Sequence, residues 1–336
     1  MLIKTITRNF LGAAAIGAVT MISAASAPVS AQELTVRLAN VIGPNHDTSI
    51  AIDRFAELVG EMSDGRIEVQ HFPSGQLGSD KETYEAAQLG LLQFAAGSYA
   101  NLVTITRAFE VLHLPFIFDN RDQAHAAIDS PAVRDAINAE LADVNMHWLM
   151  TLEFGFRNIN TAGNPVLSPT DMEGLKLRAS RSPTEINGIE ALGGTAVTVD
   201  WPEVYNALKF QVVDGEAQPF GTMVSARHHE VIDHLTEIEW QYFGMVVMTS
   251  AEQWNSFPDW AKEIFEQAAV EAQAYHRQIW EEADAAARQA FLEAGGTVHE
   301  VSPEQREVWA ELGRATWAES GVSQELIDLV RSEAAQ

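Results

Sequence analysis

The chain has 336 residues, 47 acidic and 21 basic, and its net charge of −26 argues against nucleic acid and anionic membrane surfaces as partners. It contains no cysteine, which excludes disulfide bonds, thiolate nucleophiles and cysteine-based zinc sites. The overall field opposes an anionic ligand, but screening over about 8 Å at physiological salt lets a few local arginines decide binding.

The first 31 residues have the composition of an export signal. A positively charged start precedes the apolar stretch Phe10–Ala25, and small residues then supply cleavage sites. We predict cleavage after Ala31, which leaves a net charge of −28 because two basic and no acidic residues are removed. A retained membrane anchor is the alternative, and the shortness of the apolar stretch favours cleavage.

The next segment alternates strands and helices. The predicted strands are Leu34–Asn40, Gly65–His71 and Leu91–Ala96. A helix is predicted between the first two strands, from Thr48 to Met62. A second helix starts at the capping box of Ser79 and Glu82 and ends at Gly90. This alternation predicts an α/β fold with a parallel sheet covered on both faces.

A second unit begins near residues 151–156. Its predicted strands are Leu175–Arg178, after a capped turn, and Val212–Gly215. Between them, Asp200 and Glu203 form a capping-box pattern that opens a helix from Pro202 to Phe210.

The C-terminal third is helical. No proline or glycine interrupts residues 259–294, and a continuous helix there would span about 55 Å, more than one small domain. The apolar positions recur at helical spacing, which predicts a helix that runs along two lobes. Two shorter helices are the alternative. Ser302 and Gln305 then cap a further helix.

Motifs for catalysis, cofactors and metals are missing from the sequence. There is no glycine-rich phosphate loop and no Gly-x-Ser-x-Gly elbow, so we predict no cofactor and no catalytic residue. His229, Glu230 and His234 resemble a zinc motif, but the histidines are five residues apart and would diverge by about 140° on a helix. We predict a solvated helix there and no metal site.

Two arginines lie in apolar or glycine-rich surroundings. Arg157 lies within Phe154–Asn158, and Arg178 ends a predicted strand. The planar guanidinium matches a carboxylate with two parallel hydrogen bonds, and open α/β sheets bind ligands at strand ends. The alternative is that each arginine pairs with one of the many acidic residues.

Aromatic and polar residues near these elements are further candidates. Trp201 and Phe243 are either a ligand wall or core residues. Gln218 stands where a strand ends, as a ligand contact or a cap, and we count Phe220 among the candidates as well.

Seven segments in order resemble the periplasmic receptors of tripartite ATP-independent (TRAP) transporters, the DctP-like family. They are Phe72–Glu82, Leu114–Phe118, Gly155–Asn158, Asp171–Arg178, Leu192–Gly194, Trp201–Leu208 and Val213–Pro219. The resemblance implies two α/β lobes, each a mixed sheet flanked by helices, with a long bridging helix. We expect lobe I to comprise 32–155 and 245–283, lobe II to comprise 156–244 and 284–336, and the ligand cleft to lie between them.

The resemblance also implies roles for residues. Arg178 matches the arginine that binds the solute carboxylate, and Arg157 matches a second arginine near it. Trp201 and Phe243 match positions that pack on the solute, and Gln218 stands where many members have asparagine. First-lobe contacts are expected from the loop 40–47 and from two further residues. These residues are Ser98 and Asn101, whose neutral side chains imply that the distal part of the solute is polar.

The implied function is that of a monomeric periplasmic receptor for a small organic acid. It would deliver this solute to the small and large membrane subunits of an ion-gradient-driven permease, without catalytic turnover. The solute classes left open are C4-dicarboxylates, hydroxy or keto acids, sugar acids and aromatic acids. The alternatives are a periplasmic enzyme that acts on a small carboxylate in the same cleft, or a receptor of an ATP-driven transporter.

Overall fold

The computed structural model describes residues 32–336, and the predicted signal segment lies outside the described residues. The strands in this range are β1 Leu34–Ala39, β2 Ile67–Phe72, β3 Phe94–Ser98, β4 Met146–Thr161, β5 Lys176–Ala179, β6 Thr195–Thr198, β7 Gly215–Glu216, β8 His234–Ser250 and β9 Thr297–Glu300. The α-helices are α1 Asp47–Met62, α2 Asp80–Gln88, α3 Arg121–Asp129, α4 Pro131–Ala142, α5 Pro183–Ala191, α6 Val204–Lys209, α7 Phe220–Ser225, α8 Ala251–Ser256, α9 Asp259–Glu293, α10 Pro303–Arg314 and α11 Gln324–Ala334. Within this range, none of the helices combines the length and the apolar character needed to cross a bilayer.

The strands form one mixed sheet in the order β2-β1-β3-β8-β4-β7-β5-β6, with β9 beside β8. β1 pairs in parallel with β2 and β3, and β5 pairs in parallel with β6 and β7. The two long strands β4 and β8 run antiparallel to each other in the middle of the sheet. The predicted α/β class with a mixed sheet is confirmed.

Separate hydrophobic cores divide the molecule into two lobes. The first core gathers aromatic side chains such as Phe55, Phe94 and Phe265, whose ring centroids lie 5.3–6.4 Å apart. The second lobe has two clusters, one around Leu177 and Trp240 and one around Phe291. Each lobe thus has its own hydrophobic core, and a cleft can form between the two lobes.

Three elements cross from one lobe to the other. β4 and β8 place residues in both cores, and their pairing shifts register between Glu153 and Gly155 and again between Arg157 and Ile159. The helix α9 contributes Phe265 to the core of the first lobe and Phe291 to one of the two clusters of the second lobe. Its 35 residues form one helix of about 52 Å, so the prediction of a single long helix is confirmed.

The last helix departs from the predicted division of the chain. We expected residues 284–336 to belong to the second lobe, but Leu326, Ile327 and Val330 of α11 are buried in the first core. The sequence shows that this helix has an apolar face without showing which lobe receives it. The exact lobe boundaries remain a prediction.

The predicted solvated helix at the histidine-rich segment was wrong. Only His228–Glu230 forms a short 3-10 turn, and His234 begins β8. His228 is buried, and its Nδ1 lies 2.9 Å from both carboxylate oxygens of Glu216. The buried carboxylate of Glu216 on β7 therefore contacts His228, which the local sequence pattern predicts to be exposed to solvent.

A glycine at the lobe crossing supports a testable prediction. Gly155 has a φ of 102°, and a Cβ there would lie 2.6 Å from Cζ2 of Trp280 on α9. We expect Gly155→Ala to lower the free energy of unfolding by about 1–3 kcal/mol in urea denaturation, because both the backbone and the indole ring must adjust.

The matched control is Gly60→Ala within α1. A Cβ at Gly60 would meet no atom within 4 Å, and alanine there is expected to raise the free energy of unfolding by about 0.5–1 kcal/mol. Equal effects at the two positions would contradict the proposed packing of Trp280 on Gly155.

Candidate functional site

A cavity with about 400 Å³ of empty space, the solvent at its mouth included, lies between the two lobes. Seven of the eight predicted ligand-binding residues line it: Ser98, Asn101, Arg157, Arg178, Trp201, Gln218 and Phe243. Val41 and Ile42 of the predicted contact loop line it as well. We call it the cleft cavity.

Phe220 is the predicted residue that the cleft cavity does not include. It begins α7, and its ring packs against Phe291 with centroids 6.3 Å apart in a core cluster of the second lobe. The structure thus places Phe220 away from the cleft cavity, and its role as a ligand contact stays a prediction. Its position near Gln218 in sequence does not fix the direction of its side chain, and helix packing turns it away.

Arg178 stands at the end of β5 and is 3% exposed. Its Nε donates to the carbonyl oxygen of Val199 at 3.0 Å. Within residues 32–336 no carboxylate oxygen lies within 4.0 Å of its guanidinium, and its terminal nitrogens donate to no acceptor. The guanidinium carbon is 5.5 Å from the centre of the Trp201 ring. The forked end of Arg178 is therefore available to a ligand.

Arg157 has a different environment, although it lines the same cavity. It comes from β4, is fully buried, and forms an ion pair of 3.0 Å with the buried Glu185. Its Nη1 also donates to the carbonyl oxygen of Ala217, and its guanidinium lies 3.7 Å from the centre of the Phe243 ring. Burial lowers the pKa of Arg157, and the negative charge of Glu185 opposes that effect. The alternative of an internal acidic partner thus holds for Arg157 and not for Arg178.

One charged residue of the cavity, Asp80, was not among the predicted ligand contacts. It is the first residue of α2 and is 7% exposed. Its Oδ2 accepts a hydrogen bond of 2.8 Å from Asn101. Burial raises the pKa of Asp80 to about 6, against the lowering effect of Asn101, Ser98 and Arg178.

Asp80 lies inside the capping box that the sequence predicts at Ser79 and Glu82. The structure confirms both hydrogen bonds of that capping box. The acidic residue between them is one of 47 in the chain, and nothing local distinguishes it. Only the fold brings it to the same cavity as Arg178.

Hydrogen bonds and aromatic packing position the uncharged residues that line the cavity. The hydroxyl of Ser98 accepts a hydrogen bond of 3.1 Å from the backbone N–H of Ala100. The backbone carbonyl of Gln218 accepts from Asn160 at 3.0 Å, whereas the buried side-chain Oε1 of Gln218 has no partner in the described chain. Trp201 begins a short 3-10 turn and packs against His228 with ring centroids 5.0 Å apart.

The arrangement can hold an anion. The charge of Arg157 is matched by Glu185, so Arg178 is the arginine of the cavity without an internal counter-ion in the described range. A carboxylate placed against its fork would gain charge-assisted hydrogen bonds in a largely desolvated site. Across residues 32–336, no group of three or more histidine and acidic side chains is arranged to hold a metal ion.

Comparison with known proteins gives a consistent result. A family model described as bacterial extracellular solute-binding protein, family 7, matches residues 38–324. The C4-dicarboxylate-binding periplasmic protein DctP of Rhodobacter capsulatus is 31% identical over 309 residues, which cover 91% of this chain and 92% of that protein.

Solved structures with the same architecture contain bound acids. A TRAP periplasmic solute-binding protein from Sulfurospirillum deleyianum with bound succinate is 28% identical, with a TM-score of 0.82 and coverage of 90% of this chain and 99% of that one. The sugar acid-binding protein DctPAm from Advenella mimigardefordensis, in complex with galactonate, is 27% identical, with a TM-score of 0.82 and coverage of 90% and 98%. These relatives are solute-binding proteins.

Proposed function

The chain belongs to the bacterial extracellular solute-binding protein family 7, and from that premise we propose that it is the periplasmic receptor of a TRAP transporter. It binds a small organic acid between its lobes and delivers the acid to the membrane permease of that transporter. Residues 1–31 act as the cleaved export signal, and binding involves no chemical turnover.

The observation that carries the proposal is the fork of Arg178, which has no acceptor among residues 32–336. Its Nε is fixed by the carbonyl of Val199, so the two terminal nitrogens are held in place before a ligand arrives. A side chain that is already ordered loses less conformational entropy when it binds. Arg178 therefore takes the solute carboxylate, and Trp201 stacks beside the same guanidinium.

The remaining candidates surround this contact. Arg157 keeps its ion pair with Glu185 and presents one face of its guanidinium to Phe243, so it adds positive potential rather than a free fork. The unpartnered Oε1 of Gln218 accepts a hydrogen bond from the solute. Ser98 and Asn101 complete the first-lobe side of the site.

A thermal-shift screen of the chain from residue 32 against a panel of organic acids tests this function. We expect at least one acid to raise the melting temperature, since a ligand at a hundredfold excess over its Kd stabilises the folded state by about 2.7 kcal/mol. Each acid is paired with its neutral amide as the control. Equal stabilisation by acid and amide would contradict carboxylate recognition.

The same samples separate a receptor from an enzyme. Mass spectrometry of the acid after prolonged incubation with the protein should recover it unchanged. Accumulation of a product at a rate proportional to protein concentration would show catalysis and refute the receptor proposal.

A further inference from the structure

A buried carboxylate of the first lobe contacts two hydroxyl groups of the second lobe, away from the residues that line the cleft cavity. Glu110 begins a short 3-10 turn, and the next residue, Val111, belongs to the first core. Ser182 and Thr184 lie at the start of α5, which contributes Ile189 to a core cluster of the second lobe. We call Glu110, Ser182 and Thr184 the interlobe contact.

Each carboxylate oxygen of Glu110 has a hydrogen-bond donor. The hydroxyl of Ser182 donates to Oε1 at 2.9 Å, and the hydroxyl of Thr184 donates to Oε2. Nε2 of His113, which lies in the same 3-10 turn as Glu110, is 3.0 Å from Oε1. All four side chains are at most 2% exposed. Because a buried carboxylate without donors is costly, the second lobe supplies part of what makes the burial of Glu110 tolerable.

Glu110 is ionised in this contact. Burial raises the pKa of its carboxyl, but His113 and the hydroxyl groups of Thr184 and Ser182 outweigh burial and hold that pKa below its usual range. An ionised carboxylate only accepts hydrogen bonds, so both hydroxyl groups donate to it. Such charge-assisted bonds are about twice as strong as bonds between neutral groups. The interlobe contact therefore joins the lobes more strongly than neutral polar groups would.

The interlobe contact depends on how the lobes are placed. Its donors and its acceptor lie on different lobes, which are connected through β4, β8 and α9. Hydrogen bonds weaken beyond about 3.2 Å, so a separation of the lobes by about 1–2 Å at this place breaks both of them. The contact thus stabilises the closed arrangement and contributes nothing once the lobes have separated.

The interlobe contact lies one residue behind the wall of the cleft cavity. The backbone N–H of Ser182 donates to the hydroxyl of Ser180 at 3.2 Å, and Ser180 lines the cavity. On the side of the first lobe, His113 stacks on Tyr99 with ring centroids 5.0 Å apart. Tyr99 packs edge-to-face against Phe243, another lining residue. The contact is therefore placed to act on closure around the solute without touching the solute.

We propose that Glu110 is a latch, whose hydrogen bonds to Ser182 and Thr184 stabilise the closed arrangement of the lobes and so tighten the binding of any solute in the cleft cavity. A solute held between closed lobes binds more weakly when the closed arrangement is less populated. The inference rests on the proposed function, because closure affects binding only when the solute lies between the lobes.

Two spin labels measure the arrangement of the lobes. The chain has no cysteine, so Glu85→Cys on α2 and Lys209→Cys on α6 introduce the only two labelling sites. Both residues are exposed, and their helices pack in the first and the second lobe respectively. Pulsed electron paramagnetic resonance gives the distance between the labels without solute, with millimolar succinate and with millimolar galactonate. We expect a population with the shorter, closed distance in at least one of these three samples.

Two substitutions remove the latch from opposite lobes. Glu110→Gln removes the charge, Thr184→Val removes one hydroxyl, and each keeps the size of the side chain. We expect each to lower the ratio of closed to open protein by about three- to tenfold. The double variant should lower it by less than the product of the two single effects, because the residues share one interaction. The matched control is Glu61→Gln, at a residue 64% exposed on α1, which should leave the ratio unchanged.

Calorimetry with succinate and galactonate supplies a second readout. The latch touches no solute, so Glu110→Gln should raise the Kd of each acid that binds by the same factor, which is the factor by which it lowers the ratio of closed to open protein. A factor that differs between the two acids would instead show that Glu110 acts on the solute itself, and it would refute the latch.

The outcomes separate the latch from the proposed function. The latch is overturned when the closed-to-open ratio is unchanged in whichever of Glu110→Gln and Thr184→Val folds, or when the wild-type protein stays open in all three samples. Binding of an acid with an unchanged ratio leaves the receptor function standing without the latch. A ratio that falls in the variants, while the thermal-shift screen finds no acid that binds, supports the latch and overturns the function.

Discussion

Arg178→Ala is expected to raise the Kd for the solute by about 30-fold to several thousand-fold. Removing one partner of a buried charge pair costs about 2–5 kcal/mol, much of it because the solute carboxylate is left unpaired. The free energy of unfolding of the empty protein should change by only about 0.5–1.5 kcal/mol, because the fold loses a single hydrogen bond to Val199. Calorimetry and urea denaturation measure the two quantities separately.

Two further variants sharpen this result. Arg178→Lys is also expected to bind weakly, since an ammonium group cannot reproduce the two parallel bonds of the fork. Arg181→Ala is the control, because Arg181 is 49% exposed, pairs with Asp200 and does not line the cleft cavity. Unchanged solute binding in Arg178→Ala would show that another group holds the carboxylate.

Glu185→Ala is expected to lower the free energy of unfolding by about 3–5 kcal/mol. Glu185 is the partner of Arg157, both side chains are fully buried, and the substitution leaves a guanidinium without a counter-ion in the interior. It also removes the acceptor for the backbone N–H and the hydroxyl of Ser180. Urea denaturation of the ligand-free protein measures the loss.

The control for Glu185 is an ion pair at the surface. Asp200→Ala breaks the salt bridge between Asp200, which is 58% exposed, and Arg181, which is 49% exposed. The substitution should lower the free energy of unfolding by at most about 1 kcal/mol. If the two alanine variants lost similar stability, the buried pair would contribute no more than a solvated one.

Much of the fold follows from local patterns. The strand–helix alternation, the capping box at Ser79 and the uninterrupted helix α9 are each determined by residues near one another in sequence. Arg178 could be singled out for the same reason, since it lies one residue before the end of a short strand. The order of the family-like segments then supplied the two-lobed arrangement.

The partners of the cavity's charged groups could not be predicted in this way. Glu185 lies 28 residues from Arg157, and Asp80 lies 21 residues from Asn101, so each contact exists only after the lobe that contains it has folded. In a chain with 47 acidic residues, composition cannot show which carboxylate is buried. The direction of the Phe220 side chain and the lobe against which α11 packs depend on tertiary packing in the same way.

The crossing of β4, β8 and α9 between the lobes constrains how such a protein can evolve. No single cut in residues 32–336 yields one piece for each lobe, because the chain passes between the lobes at β4, at β8 and again at α9. A genetic exchange of one lobe between relatives would need several simultaneous junctions, each within a continuous strand or helix. We therefore expect new solute preferences to arise by point substitutions at positions that face the cleft, with the two-lobed frame left unchanged.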